Sequence, residues 1–209
     1  KAMASYQKAL SLKSDYPEAR YNVGVILQDQ NKFEEAIASY QKALSLKPDY
    51  LEAYNNLGNV IKDQGKLDEA IASYKEALSL KPDSADAYNN MGNALHDQGK
   101  LDEAIACYHK ALSLEPDDPE VHDNMGFALL AAKYFDRGFK HCEWRWQKED
   151  RANQFLKSTK PPWNGEKGQR VLVWNEQGIG DEIMFSSIVP EIYAASSKLL
   201  VKCDKRLIP

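Results

Sequence analysis

Four glycines, Gly24, Gly58, Gly92 and Gly126, stand 34 residues apart, and that period constrains the fold more than any local propensity does. The same step links Ala36, Ala70 and Ala104, then Tyr6, Tyr40, Tyr74 and Tyr108, then Pro48, Pro82 and Pro116. Four registers at one spacing mark an array of small units. Each unit in such an array is too small to bury its own apolar face, so stacking on its neighbours makes the core.

Within one period, Leu67, Ile71, Tyr74 and Leu78 recur at three- and four-residue steps, which predicts an amphipathic helix. A second helix precedes it, separated by the turn Asp63-Gln64-Gly65-Lys66. The pair ends at Lys81-Pro82-Asp83, because proline lacks the N–H of a helix and drives the residue before it out of helical geometry. Gly58 and Ala70 are small so that the two helices approach closely. Tyr74 and its equivalents are then expected to fill the gap against the neighbouring unit.

This pattern resembles the tetratricopeptide repeat. The family's small-residue signature stands here as Leu57-Gly58, Ala70, Tyr74, Ala77 and Pro82, and again as Met91-Gly92, Ala104, Tyr108, Ala111 and Pro116. The resemblance implies a mainly α fold, a right-handed solenoid of helix pairs over 1–150. It divides into a partial repeat 1–16, repeats 17–50, 51–84 and 85–118, and a degenerate, capping repeat 119–150. In that last repeat Gly138, Cys142 and Arg145 replace the expected Ala, Tyr and Ala.

In the architecture that this resemblance implies, the first helix of each unit lines the concave surface. Its outward stripe is polar: Asn22, Asn56, Asn90 and Asn124 recur at the 34-residue step, with Asn59 and Asn93 one turn on and Asp29, Asp63 and Asp97 closing the row. An Asn side chain carries a carbonyl acceptor and an amide donor together, so it pairs with a peptide backbone whatever the peptide's side chains. Such a ladder resembles the one lining the repeats of protein O-GlcNAc transferases, which implies an extended polypeptide ligand. The plainer reading, Asn as a soluble surface choice, stands beside it. The carboxylate-clamp form of the repeat would need Lys or Arg where Asn56, Asn59, Asn90 and Asn93 stand, so an acidic tail is a poor ligand. The Asp row favours a neutral or basic peptide.

The remaining composition narrows the partners further. A net charge of −4 and a pI near 5.6 argue against nucleic acid and anionic membranes, which need clustered Lys and Arg. Cys107, Cys142 and Cys203 are scattered and form no C-x-x-C pair, and the four histidines, His96, His109, His122 and His141, show no ligand spacing, so neither a metal nor a disulfide is expected. The longest apolar run, Phe127 to Ala132, is far short of the ~20 residues of a membrane span, and reduced cysteines point to the cytoplasm. The chain opens in mid-repeat without a Met, so residues are expected before it. The apolar face of its first helix (Ala2, Tyr6, Ala9) also invites self-association.

Past Trp146 the period vanishes. Residues 151–169, with the run KSTKPPWNGEKGQ, read as a Pro/Gly-rich linker, and 170–209 change class. Val171-Leu172-Val173-Trp174 suits a buried parallel strand, Asp181 to Ala195 carries helical periodicity, and Lys198 to Lys202 suits a second strand: a short, incomplete α/β, Rossmann-like segment. The loop Gly178-Ile179-Gly180-Asp181 lacks the third glycine of a dinucleotide fingerprint, since Ile183 stands there. Gly178 and Gly180 still permit a tight strand-to-helix turn.

With its flanks Glu143-Trp144-Arg145-Trp146 and Pro162-Trp163-Asn164-Gly165, the stretch VLVWNEQGIGD resembles the start of the heptosyltransferase-like, GT-B domain of bacterial tetratricopeptide-repeat glycosyltransferases. The resemblance implies Asp181 as general base toward an acceptor hydroxyl, while its place at a helix start makes it equally a helix cap. The donor site of that family lies mainly in a second Rossmann-like half, and the chain ends at Pro209. No catalysis is therefore expected from this length, and no cofactor, although a longer protein would use a sugar nucleotide. The function expected from the sequence is a scaffold binding an extended peptide or partner protein on the concave face.

Overall fold

The structure, a computed structural model, describes residues 2–147, 167, 170–174, 194 and 198–202. The chain divides into two compact units, Lys1–Lys148 and Glu149–Pro209.

The first unit is a helical array. Its helices are α1 (Ala2–Leu12), α2 (Pro17–Asp29), α3 (Phe33–Leu46), α4 (Leu51–Asp63), α5 (Leu67–Leu80), α6 (Ala85–Asp97), α7 (Leu101–Leu114), α8 (Pro119–Ala131) and α9 (Phe135–Cys142), followed by a 3₁₀ turn over Glu143–Gln147. Proline sets the boundaries from both sides. Pro17 and Pro119 open α2 and α8, where a missing N–H costs nothing. Lys47, Lys81 and Glu115, each just before a proline, leave helical geometry with φ of −140°, −138° and −128°. Asp118 caps α8, its Oδ1 accepting from the backbone N–H of Glu120 at 2.8 Å and of Val121 at 3.2 Å.

The turn inside each pair repeats in backbone geometry even where its sequence does not. Asn31, Gly65, Gly99 and Lys133 all adopt left-handed φ, at 57°, 77°, 75° and 66°. The N–H of each reaches the carbonyl three residues back, at 2.8, 2.8, 2.8 and 3.0 Å. Two of the four are glycines, which take this conformation without steric cost. Lys133 takes it against its preference, so the fourth unit keeps the mould of the others after losing the residue that favours it.

Helices pack in sequence order, each against its predecessor and its successor. Ala36, Ala70 and Ala104 are wholly buried between the two helices of a unit, with Tyr40, Tyr74 and Tyr108 beside them. The tyrosines pack against their own unit and also interact with the next, Tyr40 with Asn56. Each is wedged on the glycine of its own: a Cβ on Gly24, Gly58 or Gly92 would stand 2.6, 2.5 or 2.6 Å from Cε1 of Tyr40, Tyr74 or Tyr108. The ring needs the whole space over the glycine.

The fourth unit solves the same problem with other residues. Cys142 replaces the tyrosine, and a Cβ on Gly126 would meet its Sγ at 2.6 Å and its backbone N at 2.9 Å, so α9 itself comes close to α8. Gly138 replaces the alanine because Leu130 fills that volume: a Cβ there would lie 2.7 Å from Leu130 Cγ. What reads as decay in the sequence is a compensated exchange of volumes.

In the second unit, β1 (Arg170–Trp174) and β2 (Lys198–Lys202) pair in parallel, Arg170 opposite Lys198 and Trp174 opposite Lys202. Residues 175–180 and the expected helix at Asp181 to Ala195, apart from residue 194, lie outside the described residues. No described helix is long and apolar enough to cross a membrane.

Candidate peptide-binding face

The first helices of successive units touch one another, α2 with α4, α4 with α6 and α6 with α8, more closely than the second helices do. Units whose first helices converge while their second helices spread form a curve with the first helices inside. The Asn row lies on that inner side, and hydrogen bonds between units mark it. Asn56 Nδ2 donates to Tyr21 Oη at 2.9 Å, and Asn124 Nδ2 donates to Asn89 Oδ1 at 3.0 Å, each bond spanning from one first helix to the one before.

The row is thus partly structural, and its members do different work. Asn59 and Asn93 accept from the hydroxyls of Tyr74 and Tyr108, each at 2.7 Å. Asn22 donates to Glu18 O, one turn back in its own helix, at 2.7 Å. Asn90 makes no hydrogen bond among the described residues. All six asparagines are half-buried, and each bonded one has spent only one half of its amide on these bonds. Among the described residues, Asn59 and Asn93 leave their N–H groups unused, while Asn22, Asn56 and Asn124 leave their carbonyls. The face retains donors and acceptors in both senses.

Asp29, Asp63 and Asp97 are exposed at the end of the same helices. Asp63 lies 3.8 Å from Lys62 and Asp97 lies 3.7 Å from His96, both loose, solvated pairs. These carboxylates also act inward. Burial holds the Tyr74 hydroxyl well above the ordinary phenol range, and Asp63 and Asp97 add to it by charge. Burial does the same at Tyr108, with Asp97 assisting. Both hydroxyls therefore remain donors to the asparagines at any physiological pH.

Sequence reasoning missed the residue preceding each asparagine. In that column, Tyr21, Asn55, Asn89 and Asp123, the first and third supply the other half of the inter-unit bonds. In the middle of the row the rung is unmade: Asn55 Oδ1 is buried with no partner among the described residues. At the N-terminal end the column becomes aromatic. Tyr21 packs on Tyr50 at 4.9 Å between ring centres and on Tyr40 at 5.8 Å. Lys47 sits 4.5 Å over the Tyr50 ring and 3.7 Å from Glu18. Burial, then the charges around it, push the Tyr50 hydroxyl up to about 12. The column shares the 34-residue step, but its residue types change from Tyr to Asn to Asp, which hides it beside the uniform Asn row.

Asp181, Gly178 and Gly180 lie outside the described residues. Among the described residues, no group of three or more metal-ligating side chains comes together.

The TPR repeat family model matches residues 1–31, 26–65, 58–99 and 92–132. Among solved structures, the array is similar to MamA, at 25% identity and a TM-score of 0.64, over 73% of this chain and 90% of that one. It is similar to YrrB, described as a TPR protein with an unusual peptide-binding site, at 22% identity and a TM-score of 0.58, over 71% of this chain and 76% of that one. The first TPR of Spaghetti bound to the HSP90 peptide SRMEEVD matches at 25% identity and a TM-score of 0.55, over 56% of this chain and 93% of that one. A search of curated proteins finds no matching relative.

Proposed function

The chain belongs to the tetratricopeptide-repeat family, and on that premise we propose that it is a scaffold whose inner face holds an extended peptide or the extended segment of a partner protein. The observation that carries this reading is the divided use of the asparagine amides. Each of Asn22, Asn56, Asn59, Asn93 and Asn124 is held by one intramolecular bond and leaves the other half of its amide unused among the described residues. A side chain anchored at one end and unspent at the other is preorganised, so pairing with a ligand backbone costs little additional side-chain entropy.

The peptide is neutral or basic. Asp29, Asp63 and Asp97 are exposed along this face, and the Asn residues stand where a clamp for acidic tails requires cations. The acidic peptide held by the Spaghetti repeat marks the contrast. The buried thiol of Cys107 supports a cytoplasmic setting.

The test uses the full chain. Peptides selected from a displayed random dodecapeptide library are titrated against wild type and against Asn56→Ala with Asn90→Ala. The double variant is expected to bind at least about tenfold more weakly while keeping its helical circular dichroism. Equal binding removes the ladder. Dilution-dependent light scattering separates this from self-association through α1, which buries none of its residues fully.

A second reading attaches to the second unit: the start of a GT-B glycosyltransferase domain that uses a sugar nucleotide, with Asp181 as general base. The parallel pairing of β1 and β2 supports it, because parallel neighbours require a crossover connection. Donor-dependent sugar transfer by a longer chain, lost on Asp181→Asn, is the expected result, and transfer that survives the change removes Asp181 from the role.

A further inference from the structure

One helix position carries Val25, Asn59, Asn93 and Phe127 in the four units. Asn59 and Asn93 serve their own units there, accepting the hydroxyls of Tyr74 and Tyr108. The fourth unit has Cys142 in place of the tyrosine and offers no hydroxyl, which frees position 127 from that task. Yet the residue found there is not small or polar. Phe127 is a full aromatic ring left 49% exposed, while Val121, Met125, Ala128 and Leu129 on the same helix fill the interior.

Its direction follows from its neighbours. Asn124, one helical turn before it, bonds across to Asn89 on the preceding first helix, so this stripe of α8 faces the inner side of the array. Phe127 therefore continues the Asn row rather than the outer surface. Exposed acids belong to that stripe and to its neighbour: Glu120 lies two turns earlier on α8, Asp86 holds the equivalent position on the preceding first helix, and Asp97 ends that helix. An exposed apolar side chain on an acidic face complements a ligand with an apolar residue set among basic ones.

We propose that Phe127 is the apolar anchor of the inner face, receiving a large hydrophobic or aromatic side chain of an extended peptide whose neighbouring residues are Lys or Arg. This rests on the peptide-binding reading above. Burial of one such side chain against an aromatic ring accounts for about a tenfold gain in affinity.

The experiment selects peptides from the same dodecapeptide library against the full wild-type chain. The best binder is then titrated, with and without replacement of its large apolar residue by Ala, against wild type and Phe127→Asn. Asn holds this position in two other units, so the variant folds, and circular dichroism checks it. The expected result is a loss of about tenfold on the Ala peptide with wild type and little or none with Phe127→Asn. The same loss with both proteins overturns the anchor and leaves the peptide-binding reading standing. Failure to obtain any binder, or binding that survives Asn56→Ala with Asn90→Ala, overturns that reading first. A wild-type dimer that Phe127→Asn converts to a monomer, with peptide affinities unchanged, makes a second copy the occupant and overturns the proposal.

Discussion

Tyr74 occupies the space that a side chain on residue 58 would need: a Cβ built on Gly58 would stand 2.5 Å from Tyr74 Cε1 and 2.8 Å from Cδ1. Two effects oppose each other in Gly58→Ala. Alanine favours the helix by about 1 kcal/mol over glycine. The clash, however, is with a ring that is wholly buried and has no free direction in which to move. Overpacking of this kind costs about 1–3 kcal/mol, so the steric term wins. Gly58→Ala is expected to lower the urea midpoint, with the largest loss among probes within α4 and α5. A rise in the midpoint shows that Tyr74 yields after all.

That relationship explains what was legible in the sequence and what was not. The glycine and tyrosine recur together because the contact between them is local to one helix pair and tolerates little else, so the period announces the fold. The partner of the tyrosine hydroxyl is not announced. Asn59 and Asn93 looked like ligand-binding residues because they lie on a polar stripe, and only the geometry reveals that one oxygen of each is occupied by Tyr74 or Tyr108. The fourth turn was hidden for another reason. Lys133 holds a left-handed φ of 66° that its residue type does not favour, and the neighbouring contacts impose it. Gly138 reads as a loss of the motif, whereas in space it makes room for Leu130.

The Tyr74–Asn59 bond, at 2.7 Å, ties the second helix of a unit to the inner side of the first. Removing the hydroxyl in Tyr74→Phe loses a bond and leaves Asn59, which is half-buried, able to turn to solvent. Removing the acceptor in Asn59→Ala leaves a buried hydroxyl unpaired, which costs more. A double-mutant cycle on unfolding free energy is expected to give a coupling of about 1 kcal/mol. Independent effects would show that the bond contributes nothing to stability.

Acid should weaken the last unit selectively, through the His141 imidazole. His122 Nε2 lies 2.8 Å from Pro116 O, an acceptor only, so that nitrogen carries a proton. Neutral His122 then accepts at Nδ1 from His141 Nδ1, also at 2.8 Å. Its ring stacks on Trp144 with centres 3.9 Å apart. Burial lowers the His141 pKa first, and the charges of His122, His109 and Arg137 lower it further. Burial and then Arg137, whose Nη2 is 3.3 Å from His109 Nε2, lower His109 as well. The folded state thus favours neutral rings, and the unfolded chain takes up protons near the ordinary value of about 6.5. The stability these groups contribute is complete above that value and is lost as the pH falls below it toward the depressed folded values. Urea unfolding followed by circular dichroism is expected to show a lower midpoint at about pH 5.5 than at about pH 7.5, with a smaller difference in His141→Asn. Glycine at position 138 and cysteine at position 142 bring α9 close to α8, so a charge added at His141 has little room to reach solvent without opening the pair. A midpoint that does not move between those values would mean that the imidazoles find solvent without disturbing the helices, and the α8–α9 contact would then have no acid sensitivity.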